Sequence, residues 1–342
     1  MHRLIGWTIW SLLAAMVFVP AAAEAQTNGQ SKAEFWIETG VMKQVPADPQ
    51  AEETFTAPRP IVEVMEDPAI PSWDPNYTPK SETAKEIAKQ AIYRRTIWNL
   101  AFAFKPLRMI EVDLPQPNGK MQRKQLWYMV YRITNNGYHL GVKAEQDKWD
   151  HKTYLNTPVN QNIYFFPHFV LQAKSPVTDF ASASKTTTYT TKEYLDRVIP
   201  AAMKPIAERE RIGAELFDSV SITKHPIPVS DAKVDRSVWG VAIWEDVDPQ
   251  ADFFSVFVQG LTNAYKFEDV AGAYKAGDPP GTGRKITSKT LQLNFWRPGD
   301  AVLAHEDEIR FGIPLDPNPA RQAGLFELYG VPGPLDYQWV YR

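Results

Sequence analysis

The run EDVDPQAD, Glu245 to Asp252, gathers four carboxylates into eight residues. Glu245, Asp246, Asp248 and Asp252 offer the hard oxygen ligands that calcium takes in sets of roughly six to eight. Their spacing is not that of an EF-hand, which needs a central Gly and a terminal bidentate Glu. Acidic residues around Asp248-Pro249 equally suit a solvated turn between strands. Calcium at these four residues is therefore an expectation carried by charge alone. Exposed tryptophan is the other candidate for chemistry, since its flat face stacks on sugar rings. Trp149, in the polar EQDKWDHKTY, and Trp98 are the surface candidates for a carbohydrate ligand. Trp127, Trp239, Trp244, Trp296 and Trp339 lie within apolar strand-like runs, where a core would hold them.

Other familiar chemistries are missing. DPPGTGRK (Asp278 to Lys285) resembles the phosphate-cradling loop of AAA-type ATPases, G-P-P-G-T-G-K-T. Asp278 replaces the first Gly, Arg284 the phosphate-binding Lys, and Lys285 the magnesium-binding hydroxyl. A strand-like run follows where that loop requires a helix, so no nucleotide is expected and the segment reads as a β–β connection. HEDEIRF begins at His305 like a zincin but lacks the second His. Beyond the signal-like segment, the histidines His139, His151, His168, His225 and His305 are scattered singly, whereas zinc sites want closely spaced ligands. There is no cysteine, no G-x-S-x-G and no H-E-x-x-H. No catalytic residue is assigned, and no cofactor beyond calcium.

The ends and composition place the chain. Arg3, the apolar core Thr8–Pro20 and the Ala23-Glu24-Ala25 triplet follow the pattern of a signal peptide, residues 1–25. An exported protein, periplasmic or extracellular, is expected. No later segment approaches the roughly 20 apolar residues of a transmembrane helix. Net charge of −3 with no basic block gives no footprint for nucleic acid.

The elements that must position any site read as mainly β. Eight prolines between Val45 and Pro79 mark residues 26–80 as a Pro-rich arm, with Ile61, Val62, Val64, Met65 and Trp73 available to dock it. Thr83-Ala84-Lys85-Glu86 fits a capping box and opens a helix over 81–98. Residues 99–190 form a first β region. In LWYMVYRITNNG (Leu126 to Gly137), Trp127, Met129, Tyr131 and Ile133 point one way and Leu126, Tyr128, Val130 and Arg132 the other. Both faces are therefore covered. A helical connector is expected over 191–213, kinked or divided by Pro200 and Pro205. Residues 214–342 form a second β region. VYRITNNGY (130–138) echoes VFVQGLTNAY (256–265), which leaves open two related modules in tandem or a shared way of leaving a core strand. The expectation is one or two immunoglobulin-like β-sandwich domains with accessory helices.

WGVAIWEDVDPQADFFSVFVQGLTNAY, IYRRTIWNLAFAFKPLRMIEVDLP and LWYMVYRITNNG resemble a family of exported proteins of planctomycete-type bacteria, over about Ile92 to Arg342. That resemblance implies no activity, cofactor or binding residue. VYRITNNG is also similar to the strand-and-turn signature of FxLYD-like and other immunoglobulin-like envelope modules. These readings lead to a non-catalytic structural or protein-interaction module of the bacterial cell envelope. The alternatives are a carbohydrate-binding protein using exposed aromatics and an envelope hydrolase. The partner would be an envelope protein or polysaccharide.

Overall fold

The aromatic run Leu126 to Ile133 is buried on both faces, and a sheet forms around it. In a computed structural model, residues 43–56, 94–146, 152–178, 187–231, 233–248, 251–273, 282–298 and 309–342 are described, all within one unit, Phe35–Arg342. Strand β4 (Met121–Thr134) pairs antiparallel with β2 (Ala101–Phe104), β3 (Arg108–Pro115) and β12 (Val238–Glu245). Two short strands complete this first sheet, β1 (Lys43–Val45) against β2 and β10 (Leu216–Phe217) parallel to β12. The second sheet runs β14-β15-β13-β8-β9, with β16 and β17 also on β15. Its strands are β8 (His168–Thr178), β9 (Thr187–Leu195), β13 (Phe253–Gln259), β14 (Tyr265–Asp269), β15 (Arg284–Trp296), β16 (Arg310–Phe311) and β17 (Tyr337–Tyr341). A hairpin of β5 (His139–Gln146) and β6 (Lys152–Val159), and a short pair of β7 (Ile163–Tyr164) and β11 (Pro226–Ile227), stand apart.

The two sheets share one core. Trp127, Met129, Tyr131 and Ile133 of β4 meet Phe169 and Leu171 of β8, Phe254 and Val256 of β13, and Leu293 and Phe295 of β15. Rings cross the interface directly: Trp127 to Phe254 at 5.3 Å, Tyr131 to Phe169 at 4.8 Å, Phe104 to Phe295 at 6.1 Å. Each such buried ring contributes roughly 2–3 kcal/mol of apolar burial. Tyr131 folds across Gly240, its cross-strand partner, where any Cβ would overlap the ring.

Leu126, Tyr128 and Val130 point the other way, under helix α1 (Pro200–Glu210), against Ile199, Ala202 and Ile206. Proline at the first helical turn is pre-organised for that position, and the helix runs through Pro205 undivided. Tyr128 and Arg108 bond Glu210 at its end, at 2.7 and 3.1 Å, and Lys105 Nζ donates to the Glu210 carbonyl at 2.7 Å. A second helix, α2 (Pro319–Tyr329), covers the outer face of the second sheet through Tyr329, Leu325 and Phe326. Asn318 caps it and Gly330, at φ +66°, ends it.

The fold is mainly β with accessory helices, as the sequence indicates, and the pairing gives one sandwich. The regions 99–190 and 214–342 do not close separately. β4 pairs with β12 and β8 with β13, so each sheet takes strands from both. The expected connector, 191–213, begins as strand β9, because Thr and Tyr suit a pleated edge, and turns helical only at Pro200. The expected helix 81–98 lies outside the described residues as far as 93, and 94–98 form isolated bridges, Arg94 to Phe55 and Ile97 to Leu140. The docking residues Ile61 to Trp73 and the segment 1–25 lie outside them as well. The arm docks through other residues. Val45 and Ala47 are buried, and Glu53 receives Lys289 at 2.7 Å and the Tyr341 hydroxyl at 2.5 Å. No described helix is long and apolar enough to cross a membrane.

Candidate interaction surface

Beyond Thr134 the chain turns on Asn135, a fully buried amide with every group satisfied. Its Nδ2 donates to the carbonyls of Gln161 and Ile227, both at 2.9 Å, and its Oδ1 accepts the Gly137 N–H at 2.9 Å. Its own carbonyl accepts the Ser230 N–H at 2.8 Å. Only an amide offers donors and an acceptor in this arrangement. Three loops are thereby held together: 134–140, 160–168 and 226–230.

That clamp presents aromatic rings. Tyr138 sits at φ +53°, an uncommon conformation for a bulky residue, which typically costs about 1–3 kcal/mol. It is held by the Asn160 side chain, which accepts its N–H at 2.8 Å, while the residue is 57% exposed. On the next loop Ile163 and Phe165 turn inward, Phe165 standing edge-on to Tyr131 at 6.0 Å. By strand alternation Tyr164 and Phe166 turn outward, 48% and 63% exposed. The Phe166 carbonyl lies against Gly260, where a side chain would leave no room.

The second Thr-Asn turn arrives at the same end. Thr262 donates to the Trp98 carbonyl at 2.8 Å, and Asn263 bonds the Trp98 N–H at 3.0 Å and the Thr96 carbonyl at 2.9 Å. Asn99 bridges Thr262 and donates its N–H to Nδ1 of the buried His139 at 3.3 Å. Burial pushes the His139 pKa down. The two echoing turns thus perform the same task, an Asn amide gripping a neighbouring backbone, one at the end of each sheet. Not one residue of the five segments 96–100, 134–140, 160–168, 226–230 and 260–264 is Asp, Glu, Lys or Arg, in a chain where 23% are. Charge nonetheless stands directly against them: Arg236 donates to the Val229 carbonyl at 2.6 Å and lies 3.5 Å from Asp231, and Arg94 is stacked 3.4 Å over Phe55.

The residues singled out from sequence fall elsewhere or in supporting positions. Trp98 is half-buried against the core, with its backbone held by the Thr262-Asn263 turn, and Trp149 lies outside the described residues. The four acids do not converge. Glu245 pairs with Lys124 and, at 3.6 Å, with Arg197, while Asp246 is 3.6 Å from Lys124. Asp248 accepts the Ser175 hydroxyl at 2.8 Å and lies 4.0 Å from Lys192, and Asp252 lies 4.0 Å from Arg297. Among the described residues no group of three or more His, Asp or Glu could hold a metal ion. The described part of DPPGTGRK leads into β15, with Arg284 on Asp269 at 2.6 Å.

Two acids that were not singled out have perturbed titration. Burial pushes the Asp196 carboxyl up to about 6. Asp218, despite burial, is held below its usual range by the N–H groups of Ser221 and Val220. Divergent pKa values in neighbouring acids can serve acid–base chemistry. Here each carboxylate is engaged by backbone. Asp196 accepts the Ile243 N–H at 2.7 Å and Asp218 caps the turn that follows it. Buried Lys174 lies 5.3 Å from the Tyr329 ring, and desolvation lowers its pKa to about 8. No family model matches the chain, and no curated protein or solved structure matches it either.

Proposed function

We propose that this chain is a non-catalytic, exported binding module of a bacterial envelope, and that its partner docks on the loop end of the sandwich. The observation that carries the reading is the clamped loop layer around Asn135. A fully satisfied buried amide fixes three loops, and exposed Tyr138, Tyr164 and Phe166 project from them. Large apolar rings held in water on a rigid frame are characteristic of surfaces that meet a partner. The perturbed acids Asp196 and Asp218, by contrast, are occupied in holding the fold together. The signal-like segment 1–25 and the resemblance to exported proteins support the compartment.

The test is sedimentation of the exported protein with envelope fragments from a Gram-negative bacterium. Saturable co-sedimentation is expected, with release of the first 25 residues seen by mass spectrometry. Protein left in the supernatant at all concentrations, or a precursor that keeps its first 25 residues, would overturn the reading.

A further inference from the structure

We propose that Lys174 is a site of covalent capture, an enclosed amine that takes up small aldehydes as an imine. The inference is separate from the loop-end reading and concerns the outer face of the second sheet. Lys174 stands on β8 opposite Phe253 of β13 and Thr191 of β9. Its ammonium lies 5.3 Å from the Tyr329 ring of α2, and the rings of Tyr189, Phe253 and Tyr329 follow one another at 6.0 and 6.2 Å. Three lysines are buried among the described residues, Lys105, Lys174 and Lys289. Glu210 holds Lys105 at 3.6 Å and Glu53 holds Lys289 at 2.7 Å, whereas Lys174 has no carboxylate within 4.0 Å among the described residues. The charged groups nearby are engaged elsewhere. Glu193, on the same face of β9, bonds Gln172 at 3.1 Å and Arg342 at 2.8 Å. Asp252, next to Phe253, lies 4.0 Å from Arg297, and the Tyr329 hydroxyl donates to the Phe295 carbonyl at 2.6 Å.

A buried ammonium with only a ring for a partner bears a desolvation cost that no counter-charge offsets. Burial accordingly lowers the Lys174 pKa to about 8. At pH 7 about one Lys174 in ten is then a free amine, against about one in three thousand for an ordinary lysine. The Nζ lone pair attacks the aldehyde carbon, the C=O π pair moves to oxygen, and that oxygen takes a proton from nitrogen. Water then leaves with the second N–H proton as the C=N bond forms. The imine can stay uncharged, so capture removes the charge that burial penalises, and the enclosing rings keep water from reversing it. Acylation would also remove the charge, but a leaving group larger than water would have to depart through the same enclosed space. Only 6% of the residue is accessible, which admits a small aldehyde and excludes a bulky one.

The experiment is reductive alkylation of the full chain with propanal and cyanoborohydride, at low conversion and from pH 6 to 10, mapped by peptide mass spectrometry. At pH 7 Lys174 is expected to be alkylated at least tenfold faster than the average exposed lysine. Its free-amine advantage of about 300-fold is reduced to that by lower basicity and restricted entry. The ratio should fall as pH rises above about 8, where the exposed amines begin to catch up. Peptide mapping separates Lys174 from the chain's α-amine, which also titrates near 8. Pyrene-1-carboxaldehyde, too bulky to enter, should show no preference for Lys174. Lys174→Met keeps the volume and removes the amine; thermal melts check its fold, and the fast site should vanish while the other lysines react as before. The wild-type map decides the matter even if that variant fails to fold. Lys174 alkylated no faster than exposed lysines at pH 7, alkylated only after unfolding in urea, or preferred by a ratio that does not change with pH would each overturn the inference.

Discussion

Asp196 joins the two sheets at their edge, and its titration should be visible in stability. Its N–H donates to the Phe169 carbonyl of the second sheet at 3.2 Å. Its carboxylate accepts the Ile243 N–H of the first sheet at 2.7 Å, together with the Ser219 hydroxyl. Desolvation, aided by the Asp218 charge and opposed by these hydrogen bonds, lifts the carboxyl from 3.8 to about 6. The folded state therefore holds this proton more tightly than the unfolded chain does. The stability linked to it is fully present below pH 3.8 and is lost as pH rises through about 6. At about 1.4 kcal/mol per pKa unit, the ionised form costs the native state about 3 kcal/mol at pH 7.5. Asn is the neutral isostere. Its oxygen can accept from Ile243, and its nitrogen can donate to Ser219 Oγ. Asp196→Asn should therefore raise the unfolding free energy by about 2–3 kcal/mol at pH 7.5 and by less than about 0.5 kcal/mol at pH 3.5. Asp196→Ala also removes the acceptor. At pH 3.5, where charge no longer enters, it should be less stable than wild type by about 1–3 kcal/mol. Urea titrations followed by tryptophan fluorescence from pH 3.5 to 8 read all three proteins. An Asp196→Asn effect of constant size across that range, or a loss of stability at pH 7.5, would refute the argument.

Four further outcomes test the packing and the clamp. Gly240→Ala drives a methyl into the Tyr131 ring and should lower stability by about 1–3 kcal/mol. Tyr131→Phe removes a buried hydroxyl that has no hydrogen-bond partner, so urea midpoints should show no loss and up to about 1 kcal/mol of gain. At Glu53, burial pushes the carboxyl up, but hydrogen bonds from Lys289, Tyr341 and the Gln50 N–H outweigh it and hold the pKa below 4.5. That contribution is present above pH 4.5 and fades as pH falls. Glu53→Gln should cost about 3–5 kcal/mol at neutral pH by stranding the Lys289 ammonium, and should flatten the acid limb of the stability curve. Asn135→Ala should cost about 2–4 kcal/mol and speed hydrogen exchange in 160–166 and 226–230; unchanged protection there would mean that the amide is not what holds the loops.

The two-faced burial of β4 was legible because period-two alternation is local, and both faces of Leu126 to Ile133 read apolar. Its partner was not. Val130 pairs with Val241, far away in sequence, and nothing in either strand names the other. The choice between one sandwich and two could not be read for that reason. Strand β9 was hidden by polarity, since an edge of Thr, Lys and Glu shows no apolar alternation even though Thr and Tyr favour strands. Helix α2 carried its punctuation in plain sight, Asn318-Pro319 at its start and Gly330 at its end, but buries only Tyr329 fully and so shows no strong apolar stripe. The loop end was half readable. The Thr-Asn echo was there to see, and so were the rings. That five separate segments meet at one end was not readable, because contacts such as Asn135 to Ile227 and Asn263 to Trp98 join residues far apart in sequence.

Strand β15 ties the second sheet together, pairing with β13, β14, β16 and β17. It spans Arg284–Trp296, after β4, β8, β9, β12 and β13 in the chain, so those strands are made before it. Until then β8 and β13 wait with their aromatic inner faces uncovered, and β4 has already waited for β12. A chain that has not yet reached β15 can therefore form local pairs such as β3–β4 and β8–β9, but it keeps apolar core faces uncovered and is prone to stick. A fragment ending before residue 284 would lack the partner of β13, β14, β16 and β17 and is expected to aggregate instead of folding as a smaller protein.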